Sequence, residues 1–460
     1  MNFQSGNQIR AALVVAVAAL LFTAASHAQT QQGVLALKAP VMGWNSWDSY
    51  GTTVDEAAIR ANAAWMASHL KAFGWQYITV DMEWFVLNPE PEGNPLHAVY
   101  EMDAQGRFQP DLNRFPSARD GAGFKPLADY VHSLGLKFGI HILQGIPRTA
   151  VQKNLPIAGT SYTSQDAADS SKTCKWNHDN YDSKNNAAGQ AYYNSIAALY
   201  AGWGVDLIKV DCIASDPFKG EEIKMLSAAL GKAGRPVVLS LSPGPTPVEK
   251  QAEVEQLSTM WRISQDIWDV WHTDVEYPKG LDDQFVHAAQ WASAPRDGHY
   301  PDADMLPLGY LGPKAGWGKA RQTRLTHDEQ RTLLNLWGIS RSPLVMGGDL
   351  PHNDRWTTSL LTNREFLKVD QHSRDTRVAV SSDAEVVWTS RPETGSGYYI
   401  AVFNRSGAPR HLHFLWKDLG MPEGRYRLRD LWEHRSQGKQ AALEVELGPH
   451  ASALYLALPR

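Results

Sequence analysis

Short apolar runs alternate with longer amphipathic stretches between residues 38 and 372 of this 460-residue chain. The runs are rich in Val, Ile and Leu, as is typical of strands buried on both faces of a parallel sheet. Eight runs in this length predict a (β/α)8 barrel, or TIM barrel, because a doubly wound sheet usually contains fewer strands. The predicted strands are Val41–Trp44, Tyr77–Val80, Leu136–Ile142, Leu207–Val210, Val237–Leu241, Ser258–Arg262, a weak strand before Pro301, and Pro343–Met346.

Helix-boundary signals lie between these strands. Thr53 with Glu56, and Thr326 with Glu329, have the spacing of a capping box, in which the two side chains satisfy free backbone N–H groups. Gly204 is placed to end a helix just before the predicted fourth strand.

The pattern changes after about Asp370, where polar and apolar residues alternate with a period of two. This alternation is typical of antiparallel strands that have one solvated face. We therefore predict a catalytic barrel over residues 38–372 and a small β-sandwich domain over residues 373–460. The predicted strands of this domain are Tyr398–Phe403, Arg410–Trp416, Tyr426–Arg429, Leu443–Leu447 and Ala453–Leu458.

The amino terminus has the features of a secretory signal peptide over residues 1–28. Arg10 is the only charged residue before the apolar stretch 11–25, and Ser26-His27-Ala28 has the small-x-small pattern of a cleavage site. The apolar stretch is shorter than the roughly 20 residues that span a bilayer. We expect a secreted or periplasmic protein that has no membrane association after signal cleavage.

Charge and composition narrow the range of partners. The 44 Lys and Arg residues against 49 Asp and Glu give a net charge of −5, and the chain has no basic block. Neither nucleic acid nor an anionic membrane is therefore an expected partner. The 17 Trp, 16 Tyr and 13 Phe residues are a surplus that agrees with sugar binding, because aromatic rings stack on the apolar faces of sugars.

Carboxylates cluster at the ends of the predicted strands, which is the edge where TIM barrels carry their chemistry. Each one alone also fits a helix cap or a turn. The sequence has no HExxH, Cys/His cluster, GxGxxG or GxSxG motif, so we expect no cofactor and no metal, although a Ca²⁺ site made only of Asp oxygens stays open. Paired carboxylates without such motifs favour glycoside hydrolysis. The carboxylates are Asp81, Asp211, Asp266, Asp302 and Asp304.

Six motifs follow one another in the expected order on these strands. They are Val41–Trp47, Tyr77–Asp81, Arg114–Ser117, Lys209–Asp211, Trp261-Arg262 with Asp266, and Asp302–Leu306. Together with the tail around Tyr398–Asn404, they resemble glycoside hydrolase family 27, the family of α-galactosidases and α-N-acetylgalactosaminidases. The resemblance covers nearly the whole chain after the signal peptide.

The resemblance implies roles for the matching residues. Asp211 matches the nucleophile that forms a covalent glycosyl-enzyme, and Asp266 matches the acid/base. Lys209 matches a donor to sugar hydroxyls, and Arg262 matches a substrate contact, although an ion pair inside the barrel would also explain these two cations. In such retaining enzymes the two carboxyl groups stand about 5–5.5 Å apart.

Three further matches concern the sugar pocket. Trp47 matches the residue that forms the pocket wall, Asp81 the first of the sugar-binding acids, and Asp304 a partner near the acid/base. Trp84, Trp176 and Trp261 lie beside motif positions and are candidate sugar contacts.

Several positions depart from the family pattern. Galactoside-cleaving members usually carry two adjacent Asp after the second strand, the second reading an axial hydroxyl, whereas this chain has Asp81-Met82-Glu83. Because Met cannot accept that hydrogen bond, either Glu83 reaches into the pocket or the sugar lacks the group. His141 replaces the usual Tyr, with a buried structural histidine as the alternative, and Ser242 faces the sugar's 2-substituent.

The two cysteines also depart from the pattern. Family members often bridge a Cys two residues after the nucleophile to one in the preceding loop, whereas Cys212 directly follows Asp211. A Cys174–Cys212 disulfide is therefore a hypothesis rather than a carried-over feature. Trp176 and Asn177 are candidate lid residues on the same loop.

These observations predict a secreted retaining exo-glycosidase that hydrolyses terminal α-galactosides of an oligosaccharide or polysaccharide. The alternatives are a same-family enzyme for α-N-acetylgalactosamine, β-L-arabinopyranose or an isomalto-oligosaccharide, and a carbohydrate-binding protein without catalysis.

Overall fold

The computed structural model describes residues 34–90, 98–215, 217–294 and 298–459. The predicted signal peptide, residues 1–28, lies outside these ranges. In the described part of the chain, no helix has the length and apolar character needed to cross a membrane.

Eight parallel strands form a barrel, as predicted, with each strand pairing with its neighbours in chain order. The first and eighth strands pair directly, and Leu306, just after the seventh strand, pairs in parallel with Met346 and closes the ring. Seven of the predicted strands shift by at most two residues at their ends, and the weak one includes Pro301. The strands are β1 (Met42–Asn45), β2 (Tyr77–Val80), β3 (Lys137–Leu143), β4 (Leu207–Asp211), β5 (Val238–Leu241), β6 (Met260–Arg262), β7 (Tyr300–Asp302) and β8 (Leu344–Met346).

Helices connect these strands and cover the outside of the barrel. The longest, Ala187–Trp203, ends at Gly204, whose φ of 87° is the left-handed conformation expected of a C-cap glycine. The other main helices are Glu56–His69, Lys125–Ser133, Gly220–Lys232, Gln251–Leu257, Leu281–Gln290, His327–Ser340, Arg355–Leu361 and Arg364–Gln371.

One of the two predicted capping boxes is confirmed. Thr326 and Glu329 exchange side-chain hydrogen bonds with each other's backbone N–H groups. The prediction for Thr53 was wrong, because Asp55 caps the helix there. Glu56 instead accepts a hydrogen bond from the backbone N–H of Ser117, which lies 61 residues further along the chain in a short 3₁₀ helix, and no local spacing rule anticipates this contact.

The carboxyl-terminal region is a β-sandwich of one six-stranded and one two-stranded antiparallel sheet. The six-stranded sheet has the order β9-β10-β11-β16-β13-β14, and β12 pairs with β15. A separate apolar core, which includes Ile400, Leu412 and Phe414, lies between the two sheets. The strands are β9 (Ser373–Ser381), β10 (Glu385–Pro392), β11 (Tyr398–Asn404), β12 (Arg410–Leu415), β13 (Tyr426–Asp430), β14 (Arg435–Gln440), β15 (Ala442–Leu447) and β16 (Ser452–Pro459).

An insertion follows β3 and carries part of the pocket rim. It contains a three-stranded sheet of Ile146–Pro147, Ala168–Thr173 and Asn180–Ser183, in which the last strand pairs with both others. A disulfide joins Cys174 in this insertion to Cys212 at the end of β4, which confirms the hypothesised bridge.

Candidate active site

A pocket of about 590 Å³ opens at the carboxyl ends of the barrel strands. Each strand delivers its last side chains to this rim, so residues far apart in sequence meet there. The residues predicted from the sequence that line it are Trp47, Asp81, Lys209, Asp211, Asp266 and Asp304, together with the candidate lid residues Trp176 and Asn177.

Asp211 ends β4 and is held as an anion. Its Oδ2 lies 2.9 Å from Nε2 of His141 on the neighbouring strand. Burial acts to raise the pKa of Asp211, but the Lys209 charge, His141 and the nearby Ser242 hydroxyl outweigh it and hold the pKa well below the usual range. His141 and Ser242, both buried, thus act behind Asp211 rather than in the pocket lining. An ionised, desolvated carboxylate is suited to nucleophilic attack.

Lys209 interacts with two carboxylates of the pocket, those of Asp81 and Asp211. Its Nζ lies 3.1 Å from Oδ2 of Asp81, which also accepts a hydrogen bond from Nδ2 of Asn45 at 2.6 Å. Burial acts against the charge of Lys209, but Asp81 and Asp211 raise its pKa, so it stays cationic. Asp81 and Lys209 therefore offer a fixed acceptor and a fixed donor to a sugar's hydroxyl groups.

Arg262 bridges two carboxylates on the other side of the pocket. Its Nη2 lies 3.1 Å from Oδ1 of Asp266, and its Nη1 lies 2.8 Å from Oδ1 of Asp304. The Asp266 side chain is 38% exposed whereas Arg262 is 2% exposed. Asp266 therefore stands where it can exchange protons with water and with a leaving group. Arg262 is not among the residues that line the pocket, but it contacts two acids that do.

Asp304 is fixed behind the acid/base. Its Oδ2 accepts a hydrogen bond from the backbone N–H of Ile267 at 2.8 Å. Burial raises the pKa of Asp304 although Arg262 opposes the shift.

Asp48 lines the pocket but was not predicted. It is fully buried, and burial followed by the charge of Asp304 raises its pKa well above the usual range. A protonated carboxyl group would add a hydrogen-bond donor to a pocket that is otherwise rich in acceptors. The available signal was its place directly after Trp47, in the short helix Trp47–Tyr50 that follows β1.

Glu83 does not reach into the pocket, contrary to one of the two possibilities that the sequence raised. Its Oε1 lies 3.4 Å from Nδ2 of Asn177, and its side chain is completely buried. Burial, then the charge of Asp179, raises the pKa of Glu83 to about 8. Glu83 therefore helps to hold the insertion after β3 in place through its contact with Asn177.

Three residues at the rim adopt left-handed backbone conformations, which are unfavourable for residues other than glycine. They are Glu83 with φ 63°, Cys212 with φ 65° and Asp304 with φ 94°. At Cys212 this conformation redirects the side chain, and the residue directly after Asp211 thereby reaches Cys174.

The four candidate sugar-contacting tryptophans separate into two groups. Trp47 and Trp176 line the pocket. Trp84 and Trp261 are completely buried in the apolar core, so the prediction of sugar contact was wrong for both. Trp84 packs on Trp203, and Trp261 packs on Trp291.

The described residues contain no group of three or more His, Cys, Asp or Glu side chains arranged to hold a metal ion. The pocket offers two buried carboxylates held as anions beside Lys209, those of Asp81 and Asp211, together with the more exposed Asp266 and several fixed hydrogen-bonding groups.

Comparison with known proteins gives consistent matches over both domains. The family described as alpha galactosidase A matches residues 39–182 and 180–372, and the alpha galactosidase C-terminal beta sandwich domain matches residues 382–457. A family 27 β-L-arabinopyranosidase from Geobacillus stearothermophilus is 46% identical, with 92% of this chain and 97% of that chain covered and a TM-score of 0.86. A variant of that enzyme in complex with arabinose is 45% identical, with coverages of 95% and 100% and a TM-score of 0.88. The α-galactosidase of Cyamopsis tetragonoloba is 29% identical over 92% of this chain and 86% of its own.

Proposed function

We propose that this chain, which belongs to glycoside hydrolase family 27, the α-galactosidase family, is a secreted retaining exo-glycosidase. Its substrates are glycosides with a terminal sugar of the galacto configuration. One observation carries this proposal: Asp211 and Asp266 line a single pocket in opposite environments. Asp211 is buried and held ionised by Lys209, whereas Asp266 is partly exposed beside Arg262. These are the properties that a nucleophile and an acid/base need.

The reaction proceeds in two displacements. Asp211 attacks the anomeric carbon while the bond to the leaving oxygen breaks, and Asp266 donates its proton to that oxygen. Asp266 then removes a proton from water, the water oxygen attacks the anomeric carbon, and the bond to Asp211 breaks. Two inversions at the same carbon leave the product with the substrate's configuration.

The surrounding residues position the sugar and the two carboxylates. Asp81 and Lys209 bind ring hydroxyls at the base of the pocket. Arg262 orients Asp266 and neutralises it when it is ionised. His141 orients the Asp211 carboxylate through its hydrogen bond.

Met82 favours a pentose within this group of sugars. It lines the pocket with an apolar side chain at the position where galactosidases of the family carry a second carboxylate. β-L-Arabinopyranose has the ring configuration of α-D-galactose, including its axial hydroxyl, but lacks the C6 hydroxymethyl group, so its C5 methylene group suits an apolar pocket wall. The relative at 46% identity is a β-L-arabinopyranosidase. We therefore propose β-L-arabinopyranosides as the preferred substrates.

α-Galactosides are the second candidate substrates. The matching configuration at all ring carbons lets them occupy the same pocket, and the curated relatives include α-galactosidases. The two activities are separated by comparing kcat/KM for aryl β-L-arabinopyranosides and aryl α-D-galactopyranosides, with aryl α-N-acetylgalactosaminides and α-glucosides included. Binding of galactose or arabinose without turnover of any glycoside would contradict the proposed activity.

The roles of the two carboxylates are tested with azide. D211A and D266A should each lower kcat/KM on an aryl glycoside by at least about a hundredfold, the lower range for loss of a catalytic acid or base. In D211A, azide should form the glycosyl azide of inverted configuration, because it attacks the sugar directly. In D266A, azide should form the retained product, because it attacks the glycosyl-enzyme. NMR of the products distinguishes the two, and the reverse pattern would exchange the assigned roles.

Secretion is tested by the amino terminus of the exported protein. Expression of the full chain, followed by sequencing of the protein from the periplasm and medium, should give a first residue of Gln29. Active protein that remains in the cytoplasm with Met1 still present would contradict this part of the proposal.

A further inference from the structure

The pocket extends beyond the groups that the proposed mechanism uses. Its volume of about 590 Å³ is in the range of sites for ligands larger than one pyranose ring. Asp81, Lys209 and Asp211 serve the cleaved sugar. Two further lining residues, Trp176 and Tyr277, have no role in that chemistry, although each exposes 47% of its surface. Large exposed aromatic side chains beside a pocket indicate a binding surface.

Trp176 is held in place by its neighbours on both sides. The disulfide of Cys174 ties the preceding turn to the end of β4, next to Asp211. On the other side, Oδ1 of the buried Asn177 accepts a hydrogen bond from the backbone N–H of Asp179 at 2.8 Å. The backbone that carries Trp176 is therefore fixed at the rim, so its ring is preorganised for a ligand.

Tyr277 lies on the acid/base side of the pocket. Its hydroxyl accepts a hydrogen bond from Nε1 of Trp268 at 3.3 Å, and the Trp268 ring packs against Trp317 with a centroid separation of 5.5 Å. The backbone N–H of Lys279, two residues after Tyr277, donates a hydrogen bond to the backbone carbonyl oxygen of Asp266 at 3.0 Å, which places this segment beside the acid/base. In agreement with this geometry, burial and then the charge of Asp266 raise the pKa of Tyr277. Since Asp266 protonates the leaving oxygen, this side of the pocket faces the leaving group.

The two rings reach the pocket from different parts of the barrel. Trp176 belongs to the insertion after β3, and Tyr277 follows β6, which is separated from β3 by two strands in the ring. A ligand that extends outwards from the cleaved sugar therefore has two aromatic side chains of the pocket lining available to it.

We infer that Trp176 and Tyr277 form a leaving-group subsite that binds a second pyranose ring by stacking on its C–H faces. The inference rests on the proposed function, because it assigns the position after the cleaved bond. Sugar rings suit this site better than a long apolar group, since a pyranose offers an apolar face to the rings and hydroxyls to the water around them. The natural substrate is accordingly an oligosaccharide or polysaccharide rather than a glycoside of a small alcohol.

The test compares two substrates that carry the same cleaved sugar. One is the glycosyl fluoride, β-L-arabinopyranosyl or α-D-galactopyranosyl, whose leaving group has no ring. The other is a disaccharide in which that sugar is linked 1→6 to glucose. In W176A and in Y277A, the ratio of kcat/KM for the disaccharide to kcat/KM for the fluoride should fall by about tenfold. The ratio does not depend on how much of a variant is folded.

Two variants serve as controls. W176F keeps an aromatic wall and should restore most of the ratio. Y162A removes another exposed aromatic residue of the same insertion, 39% exposed, and should have the wild-type ratio. An unchanged ratio in both W176A and Y277A would overturn the subsite while leaving the glycosidase activity in place. Failure of the wild-type chain to hydrolyse either fluoride would overturn the proposed function itself.

Discussion

Asp211 and Asp266 are the same residue type in the same pocket, and their neighbours alone make them different. Lys209 and a buried histidine keep Asp211 charged at any physiological pH, whereas Asp266 is exposed to water and contacts a guanidinium group. The same principle applies to Asp48, which is buried among like charges. At this scale, function follows from which charges surround a side chain rather than from its type.

Met82 is the residue where we expect the sugar to be selected. M82D places a carboxylate in the pocket wall, which can accept a hydrogen bond from the C6 hydroxyl that only the galactoside carries. The ratio of kcat/KM for aryl α-D-galactopyranoside to that for aryl β-L-arabinopyranoside should rise by about tenfold or more. M82L, which keeps the wall apolar, should leave the ratio near the wild-type value. An equal ratio in M82D and M82L would contradict this assignment.

Glu83 should make the stability of the protein depend on pH. Its ordinary pKa is 4.5 and burial raises it to about 8, so the folded protein holds a proton that the unfolded chain releases between these values. The free energy of unfolding should therefore fall as pH rises from about 4.5 to 8, with a slope of up to about 1.4 kcal/mol per pH unit from this group. Below about pH 4.5 Glu83 is protonated in both the folded and the unfolded chain, so it adds no pH dependence to the free energy of unfolding.

The variant E83Q removes this ionisation while it keeps an acceptor for Asn177. Urea unfolding at pH 5, 6, 7 and 8 should show a weaker decline for E83Q than for the wild-type chain. The control is E446Q, which changes a carboxylate that is 87% exposed and should follow the wild-type curve. Parallel curves for E83Q and wild type would show that Glu83 does not hold the proton.

At the scale of elements, strand ends and the insertion after β3 decide what the pocket contains. The barrel strands could be predicted because their side chains are buried on both faces, which leaves a continuous apolar run in the sequence. Strand β10 of the second domain is also buried on both faces, but it was missed because the strands of that domain were identified by alternation. Val386 and Trp388 pack on the barrel core and Val387 packs in the sandwich core, so the alternation that identifies a half-buried strand is absent. Strands β9 and β14 were missed because most of their residues are at least partly exposed.

The disulfide should stabilise the insertion against unfolding. It joins cysteines that are 38 residues apart, and loop closure of this length is worth roughly 4 kcal/mol by the chain-entropy estimate. The double variant C174S/C212S should lose up to that amount in urea unfolding and should lose activity on disaccharides more than on glycosyl fluorides, since Trp176 is no longer fixed. A reducing agent should reproduce the loss in the wild-type chain and leave the variant unaffected.

At the scale of the whole molecule, the β-sandwich completes the apolar core of the barrel. Phe403 and Leu454 of the sandwich belong to the same buried cluster as the barrel helices, and the ring centroids of Phe285 and Phe403 are 5.0 Å apart. Polar contacts add to this interface, including the hydrogen bond from Nδ2 of Asn335 to Oγ of Ser452 at 2.8 Å. The second domain is therefore part of the barrel's support.

A core substitution in the sandwich should accordingly destabilise the barrel. F403A removes a completely buried ring and should lower the free energy of unfolding by about 3–5 kcal/mol. Loss of activity and loss of near-UV circular dichroism should follow one transition. L415A, at a residue 42% exposed on β12, should change stability by less than about 0.5 kcal/mol. If F403A lost part of its near-UV circular dichroism in a first transition and still kept its activity, the two domains would unfold independently.

The amino-acid sequence by itself determined the barrel, the antiparallel second domain and the residues that make the pocket acidic. These features are local, because a buried strand and a carboxylate at its end are adjacent in the chain. Only the tertiary structure decided that Glu83 turns away from the pocket, that Cys212 reaches Cys174, and that Asp48 and Tyr277 join the site. Each of these features depends on a local backbone conformation or on a contact with a residue far away in the sequence. The spacing of residues along the chain indicates neither the conformation nor the contact.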